Sequence, residues 1–335
     1  MSAGNVVVTG AGGFIGHHLV SYLAARGFWV RGVDIKHPEF APTHAHEFLI
    51  LDLRDHRNCL IAAEGMADVY HLAADMGGIG YISSQTAAIA YNNTMINSGM
   101  LEAARKKRVR RFLYSSSACI YPHHLQTKAD VVPLREDDAW PAQPEEGYGL
   151  EKLYAEKLCE YYTSDYNLST RVVRFHNVYG PLGTFEGGRE KAPAAICRKI
   201  AAIEDGGDIE IWGDGCQTRS FMYVTDCVEG IHRIMETGYE RPLNLGTDEL
   251  VSVDELVDIV AAAAGKRIRK KHDLSRPQGV RGRNSDNGRL YEKLGWEPQI
   301  RLRDGIPPTY QWIATQLATA NRRQAATLGL ATAAA

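Results

Sequence analysis

Val6-Val7-Val8-Thr9-Gly10-Ala11-Gly12-Gly13-Phe14-Ile15-Gly16 decides the fold of this chain. A β-branched run ends in glycines, and beyond them Ile15, Leu19, Tyr22 and Leu23 recur at helical spacing up to Arg26-Gly27. Trp29-Val30-Arg31-Gly32-Val33 then reads as a second strand ending at Asp34. Gly10 permits a tight turn, Gly13 lets a pyrophosphate approach the backbone, and Gly16 lets the helix pack on the strand. Phe14 and Ile15 open that helix, whose free N–H groups and partial positive charge suit a phosphate. Asp34, 18 residues after Gly16, would accept hydrogen bonds from a ribose diol and repel a 2′-phosphate. The expected cofactor is therefore NAD, with Arg31 and Lys36 close enough in sequence to keep NADP open.

The alternation continues outward. Phe48–Leu51, Asp68–Leu72, Arg111–Tyr114 and Thr170–Phe175 read as strands, Thr94–Lys107 and Tyr148–Tyr162 as helices. Alternating elements predict an α/β fold: a Rossmann-type doubly wound parallel sheet with helices on both faces. After about residue 176, Gly and Pro become frequent. Helical segments Ala194–Glu204 and Ser252–Ala264 there alternate with short strands near Glu210–Trp212 and Pro242–Leu245. This predicts a smaller C-terminal α/β substrate-binding lobe. The expected division is 1–175 with part of 222–249 for the dinucleotide unit, and 176–221 with 250–317 for the lobe. Residues 318–335, rich in Ala, Thr and Gln, are expected to form a terminal helix or a disordered tail.

Composition narrows the function. The 335 residues are 44% hydrophobic and 23% charged, with a formal charge of −2, so no global field draws the chain to nucleic acid or a membrane surface. Apolar runs fall far short of the ~20 residues that span a bilayer, and the N-terminus lacks the signature of a secretory signal. The six cysteines are far apart, with no C-x-x-C pair, which predicts reduced thiols and a cytoplasmic location.

Chemistry concentrates at strand ends. Asp52-Leu53 follows the third strand, where the carboxylate could reach an adenine amino group or serve only as a turn residue. His71-Leu72-Ala73-Ala74 follows the fourth, and small Ala73 leaves room for the cofactor, while His71 reads as a packed structural histidine. Tyr148 and Lys152, at i and i+4, share one helix face. A phenol ionises near ~10, and a neighbouring ammonium together with a positive nicotinamide ring would favour the phenolate. That phenolate could take the proton of an alcohol while hydride leaves its carbon. Ser117 ends the preceding strand and could hold the same alcohol.

In this order, G-A-G-G-F-I-G, H-L-A-A, S-S-S-A-C-I-Y-P and Y-G-L-E-K resemble an extended short-chain dehydrogenase/reductase acting on nucleotide sugars. That family includes 4-epimerases and 4,6-dehydratases. Where the dehydratases carry an Asp and a Glu after the serine position, this chain has Ala118 and Cys119. Ala118 cannot expel water. Cys119 can act as a base beside cations, which points to proton removal next to a transient ketone. Lys191, after the Gly187-Gly188 loop, is the candidate acid for the opposite face of the ring. An inert Cys119 and a solvent-exposed or phosphate-binding Lys191 are the alternatives.

Further stretches, Tyr91–Met95, Arg174–Asn177, Gly188–Pro193, Trp212–Gly215, Gln217–Phe221 and Gly279–Asn287, are closely similar to the GDP-mannose 3,5-epimerases. The resemblance implies GDP-mannose as substrate, transient oxidation at C4′ by NAD, inversion at C5′ and C3′ by Cys119 and Lys191, and a homodimer. It also implies sugar-nucleotide contacts from Gly77, Gly78, Ser117, Asn177, Glu190, Lys191, Ala192 and Gln217. Arg219 and Arg281 are the forks expected to hold the diphosphate, each with a surface ion pair as its bland alternative. A 4-epimerase using only Tyr148, Lys152 and Ser117 is the rival enzyme. The histidines lack companion ligands at metal spacing, so no metal is expected. Lys266–His272 is a basic run that reads as a solvated edge strand or loop.

Overall fold

The computed structural model describes residues 4–77, 79–276 and 279–333. Its strands are β1 (Asn5–Thr9), β2 (Trp29–Asp34), β3 (Glu47–Ile50), β4 (Asp68–His71), β5 (Arg111–Ser117), β6 (Ser169–Phe175), β7 (Asn177–Tyr179), β8 (Asp208–Trp212), β9 (Thr218–Tyr223), β10 (Leu243–Leu245), β11 (Leu250–Ser252), β12 (Arg269–Asp273) and β13 (Gly282–Arg283). Its helices are α1 (Phe14–Ala25), α2 (His56–Ala63), α3 (Ile79–Ser84), α4 (Thr86–Lys106), α5 (Tyr148–Tyr166), α6 (Ala192–Ala202), α7 (Val224–Glu236), α8 (Val253–Ala264), α9 (Gly288–Leu294) and α10 (Leu302–Ala333).

Seven strands form one sheet in the order β10-β6-β5-β4-β1-β2-β3, every neighbouring pair parallel. The order reverses at β1, which opens a crevice at the carboxyl ends of β1 and β4. Strand alternation sorts the core between the faces. Val6 and Val8 point into one cluster with Leu19, Leu23 and Ile231. Val7 points into the other with Met100, Leu101 and Cys159.

A four-stranded sheet (β11, β9, β13 and β7) and a two-stranded sheet (β12 and β8) carry the remainder. Ile196, Ile200, Leu256, Val260, Ile306 and Ile313 of α6, α8 and α10 build a third core there. The basic run is largely β12, an edge strand paired in parallel with β8. Helix α4 starts eight residues before the expected Thr94, because tertiary bonds hold its polar positions. Asn93 accepts from the Asp75 N–H, and Asn97 bonds to Glu151. No helix among the described residues is long and apolar enough to cross a membrane.

Candidate active site

The turn between β1 and α1 is shaped by contacts that leave no room for a Cβ. At Gly10, with φ +73°, an added Cβ would lie 2.9 Å from the Ala73 nitrogen; at Gly16 it would lie 2.1 Å from the Gly10 oxygen. Gly12, passed over by the sequence reading, is equally constrained, since its Cβ would sit 2.2 Å from the Lys36 oxygen. The Gly12 N–H donates to Asp34 Oδ2 at 2.9 Å and the Lys36 N–H to Oδ1 at 3.2 Å, so Asp34 is seated against the turn. Gly13 caps α1, and the N–H groups of Phe14, Ile15 and Gly16 have no carbonyl one turn earlier to bond. Lys36, Pro38, Phe40, Leu182 and Thr184 roof this cradle. The roof is latched by three rings. Phe40 lies 5.7 Å from Phe185 and 5.1 Å from Trp312, centre to centre.

These groups fit a dinucleotide: a backbone cradle, a helix N-terminus and a ribose-seeking carboxylate. Asp52 and Leu53 fit the expected adenine contact less well. The Asp52 carboxylate is closed onto Arg54 at 2.6 Å, and Leu53 is buried in the core with its carbonyl accepting from Cys59 Sγ. Ala73 keeps its expected place at the end of β4.

The second half of the site forms where α5 meets the end of β5. An added Cβ at Gly149 would lie 2.3 Å from the Cys119 carbonyl oxygen, so only glycine lets the first turn of α5 come this close to Cys119. Tyr148 is buried there near Ser117, whose Oγ accepts from the Cys119 N–H at 3.2 Å. Lys152 is buried, donates from Nζ to the Ser115 carbonyl at 2.8 Å, and lies 5.6 Å from the centre of the Tyr148 ring. Burial, followed by Cys119 and Glu151, pushes the Tyr148 phenol up, and Ser117 only partly offsets this. The expectation that Lys152 lowers this phenol is not met by the protein groups alone. The Lys152 ammonium is itself pulled down by burial and supported by Glu151 and Glu156.

Arg283 is the residue the sequence reading missed. Its Nη1 donates to Cys119 Sγ at 3.4 Å, its Nε donates to Gln126 Oε1 at 2.5 Å, and Glu145 stands 3.9 Å away. Arg281-Gly282-Arg283, inside a stretch similar to the family, places two guanidines two residues apart with nothing local to distinguish them. Arg281 instead makes a forked bond to Asp214 at 2.7 and 2.8 Å. Arg219 fits better. Burial, with Arg283 adding like charge, pulls its guanidinium down to about 10, and among the described residues it donates only to the Thr218 and Val280 carbonyls.

Lys191 caps α6 and is exposed to solvent, as one of its alternative readings has it. Glu190 is held in its own loop by the Gly188 N–H and Arg198, and Ala192 opens α6 beside Lys191. Across the cleft, Arg189 lies over the Tyr81 ring at 3.9 Å. Asn177 donates to the Ser220 carbonyl, and Gln217 to that of Trp212, leaving the buried Gln217 Oε1 without a partner among the described residues. Gly77 packs under Tyr81, whereas Gly78 lies outside the described residues. Tyr148, Lys152, Ser117 and Cys119 therefore meet Arg283, which is paired across β13 and β9 with Arg219, while Lys191 is exposed at the start of α6 and Asp52 and Arg281 are engaged with other side chains.

The family model described as the NAD dependent epimerase/dehydratase family matches residues 6–246. The chain is similar to GDP-mannose 3,5-epimerase 1 of Oryza sativa subsp. japonica, 49% identical over 314 residues, covering 93% of this chain and 82% of that one. Among solved structures it is similar to the UDP-glucose 4-epimerase of Thermotoga maritima with UDP-glucose (TM-score 0.85, 27% identity, 93% of this chain and 99% of that one). It is also similar to the Thermus thermophilus UDP-glucose 4-epimerase complex with NAD (TM-score 0.80, 25% identity, 92% and 98%).

Proposed function

The chain belongs to the NAD dependent epimerase/dehydratase family, and from that premise we propose that it is an isomerase converting GDP-D-mannose to GDP-L-galactose, with GDP-L-gulose as the single-inversion product. NAD held on the glycine turn would supply the hydride acceptor and donor for C4′, and its positive ring would favour the phenolate that burial disfavours. Tyr148 removes the C4′ hydroxyl proton, with Ser117 sharing that oxygen and Lys152 supplying a nearby ammonium. The ketone acidifies the hydrogens on C5′ and C3′. Cys119 removes a proton from one face, and Lys191 delivers one to the other. Arg283 donates a hydrogen bond to Cys119 Sγ, and Arg219 offers a fork for the diphosphate.

The observation that carries this reading is the Arg283 guanidinium 3.4 Å from Cys119 Sγ. A 4-epimerase has no use for a base at that position. We assign NAD to residues 1–175 with part of 222–249, and the sugar nucleotide to the lobe formed by 176–221 and 250–317. We further propose a cytoplasmic homodimer. Six free cysteines suit a reducing compartment. Exposed Tyr91 and Met95 on α4, with Leu150, Tyr154 and Tyr161 on α5, form helix-spaced apolar stripes suited to a second copy.

The test is NMR of GDP-mannose incubated with the NAD-loaded protein in heavy water. Deuterium should enter C5′ and C3′ in the epimerised product. Cys119→Ala should lose this exchange yet retain NADH formation, and Tyr148→Phe should lose both. Product without deuterium at either carbon would mean a 4-epimerase, and normal epimerisation by Cys119→Ala would remove the sulfur from its role.

A further inference from the structure

Four buried polar side chains outside the proposed chemistry make a continuous line. Thr9 Oγ1 lies 2.8 Å from His71 Nδ1, His71 Nε2 lies 2.9 Å from Asn97 Oδ1, and Asn97 Nδ2 lies 2.5 Å from Glu151 Oε1. All four residues are buried. Only one assignment of donors satisfies the line. Glu151 Oε1 accepts, so Asn97 turns its amide N–H₂ to it and its oxygen to His71. His71 must then carry its proton on Nε2. Burial pushes its imidazolium down to about 3, so the ring is neutral and Nδ1 accepts from the Thr9 hydroxyl. The Thr9 oxygen in turn accepts the Leu72 and Ala73 N–H groups, both at 3.2 Å.

The ends of the line are informative. Thr9 precedes Gly10 and fixes Leu72 and Ala73, against which the dinucleotide turn rests. Glu151 lies in the first turn of α5, between Tyr148 and Lys152. The line thus runs from β1 through β4 and α4 to the helix that carries both residues. Apolar side chains of similar volume would fill this space without the cost of burying a carboxylate, whose Oε2 has no partner among the described residues. Buried networks of this kind specify one arrangement.

We propose that Thr9, His71, Asn97 and Glu151 act as positioning residues that hold Tyr148 at a set distance from the nicotinamide ring of NAD bound on the glycine turn. This rests on Tyr148 facing that ring, but not on the identity of the sugar.

The experiment uses NAD-loaded protein without any sugar nucleotide. A phenolate against a pyridinium ring absorbs at long wavelength by charge transfer, and that band is recorded while pH is raised, with Tyr148→Phe as the zero. Thr9→Val keeps the volume and removes the hydroxyl; Thr9→Ser keeps the hydroxyl. Asn97→Leu breaks the line from a different element. Thr9→Val and Asn97→Leu should retain bound NAD but lose most of the band, because Tyr148 is no longer held against the ring. Thr9→Ser should keep it. An unchanged band in Thr9→Val and Asn97→Leu, no Tyr148-dependent band in the parent, or failure of both variants to fold with NAD would each overturn the proposal. In the last case the line serves packing alone. A failed heavy-water experiment with an intact, line-dependent band would reject only the proposed sugar chemistry.

Discussion

Replacing Glu156 by Gln should unsettle the chain more than any other single-charge change at the site's foundation. Glu156 on α5 takes the Arg174 guanidinium through Nη2 at 2.7 Å and Nε at 3.0 Å, with both side chains almost wholly buried. The Ser116 hydroxyl donates to the same carboxylate. Arg174 also donates to the Glu136 carbonyl at 2.7 Å and the Tyr121 hydroxyl at 3.2 Å. Burial pulls the guanidinium down, but Glu156 and Tyr121 outweigh it and hold it charged. A guanidinium cannot shed its proton near neutral pH, so removing Glu156 strands a buried cation. Breaking such a pair costs about 3–5 kcal/mol. For 335 residues melting together, at about 2 cal/mol/K of unfolding entropy per residue, that lowers Tm by roughly 4–7 °C. The paired variant Glu156→Met with Arg174→Met should recover to within about 2 kcal/mol of the parent, because the desolvation cost leaves with both charges. Denaturant unfolding and calorimetry of the parent, each single variant and the pair complete the cycle. Single variants costing under about 1 kcal/mol, or a pair that costs the sum of both singles, would refute this account of the buried charges.

Phe40→Ala should unlatch the roof over the dinucleotide cradle and speed NAD release by about tenfold, the equivalent of about 1.4 kcal/mol of lost packing, read by NAD retained after gel filtration. Tyr154→Glu, and independently Tyr91→Glu, should shift the proposed dimer towards monomer in sedimentation, with little change in Tm. Asp68 makes a pH prediction. Burial pushes its carboxyl up, but Arg111 and Arg110 outweigh this and hold it below the usual range. A depressed folded value contributes stability that is present above the unfolded value of about 3.9 and is lost as pH falls through the folded one. Asp68→Asn should therefore be less stable at neutral pH and lose less further stability on acidification below about pH 4, as followed by urea midpoints.

Much of this was legible in the chain because its causes are local. A β-branched run, a glycine turn and a helical apolar period lie within residues 6–23, and steric limits on backbone and spacing allow few readings of them. Tyr148 and Lys152 share a helix face by geometry alone. Helix α4 shows where local reasoning stops. Its Tyr91-Asn92-Asn93-Thr94 stretch contains weak helix formers, yet bonds from Asn93 to Asp75 and from Asn97 to Glu151 hold the segment helical.

The residue order by itself thus determined the parallel α/β architecture and the dinucleotide turn, since both follow from periodicity and steric limits, and it offered Tyr148 and Lys152, and through the family resemblance Cys119, as the groups proposed to bear the chemistry. Only the tertiary structure decided which cation serves the sulfur. Arg281 and Arg283 sit two residues apart with the same chemistry, but Asp214 engages the first, while Gln126 and Cys119, more than 150 positions away, receive the second. A guanidinium turns towards whatever acceptors the fold brings near it, and chain packing, rather than local propensity, sets those distances.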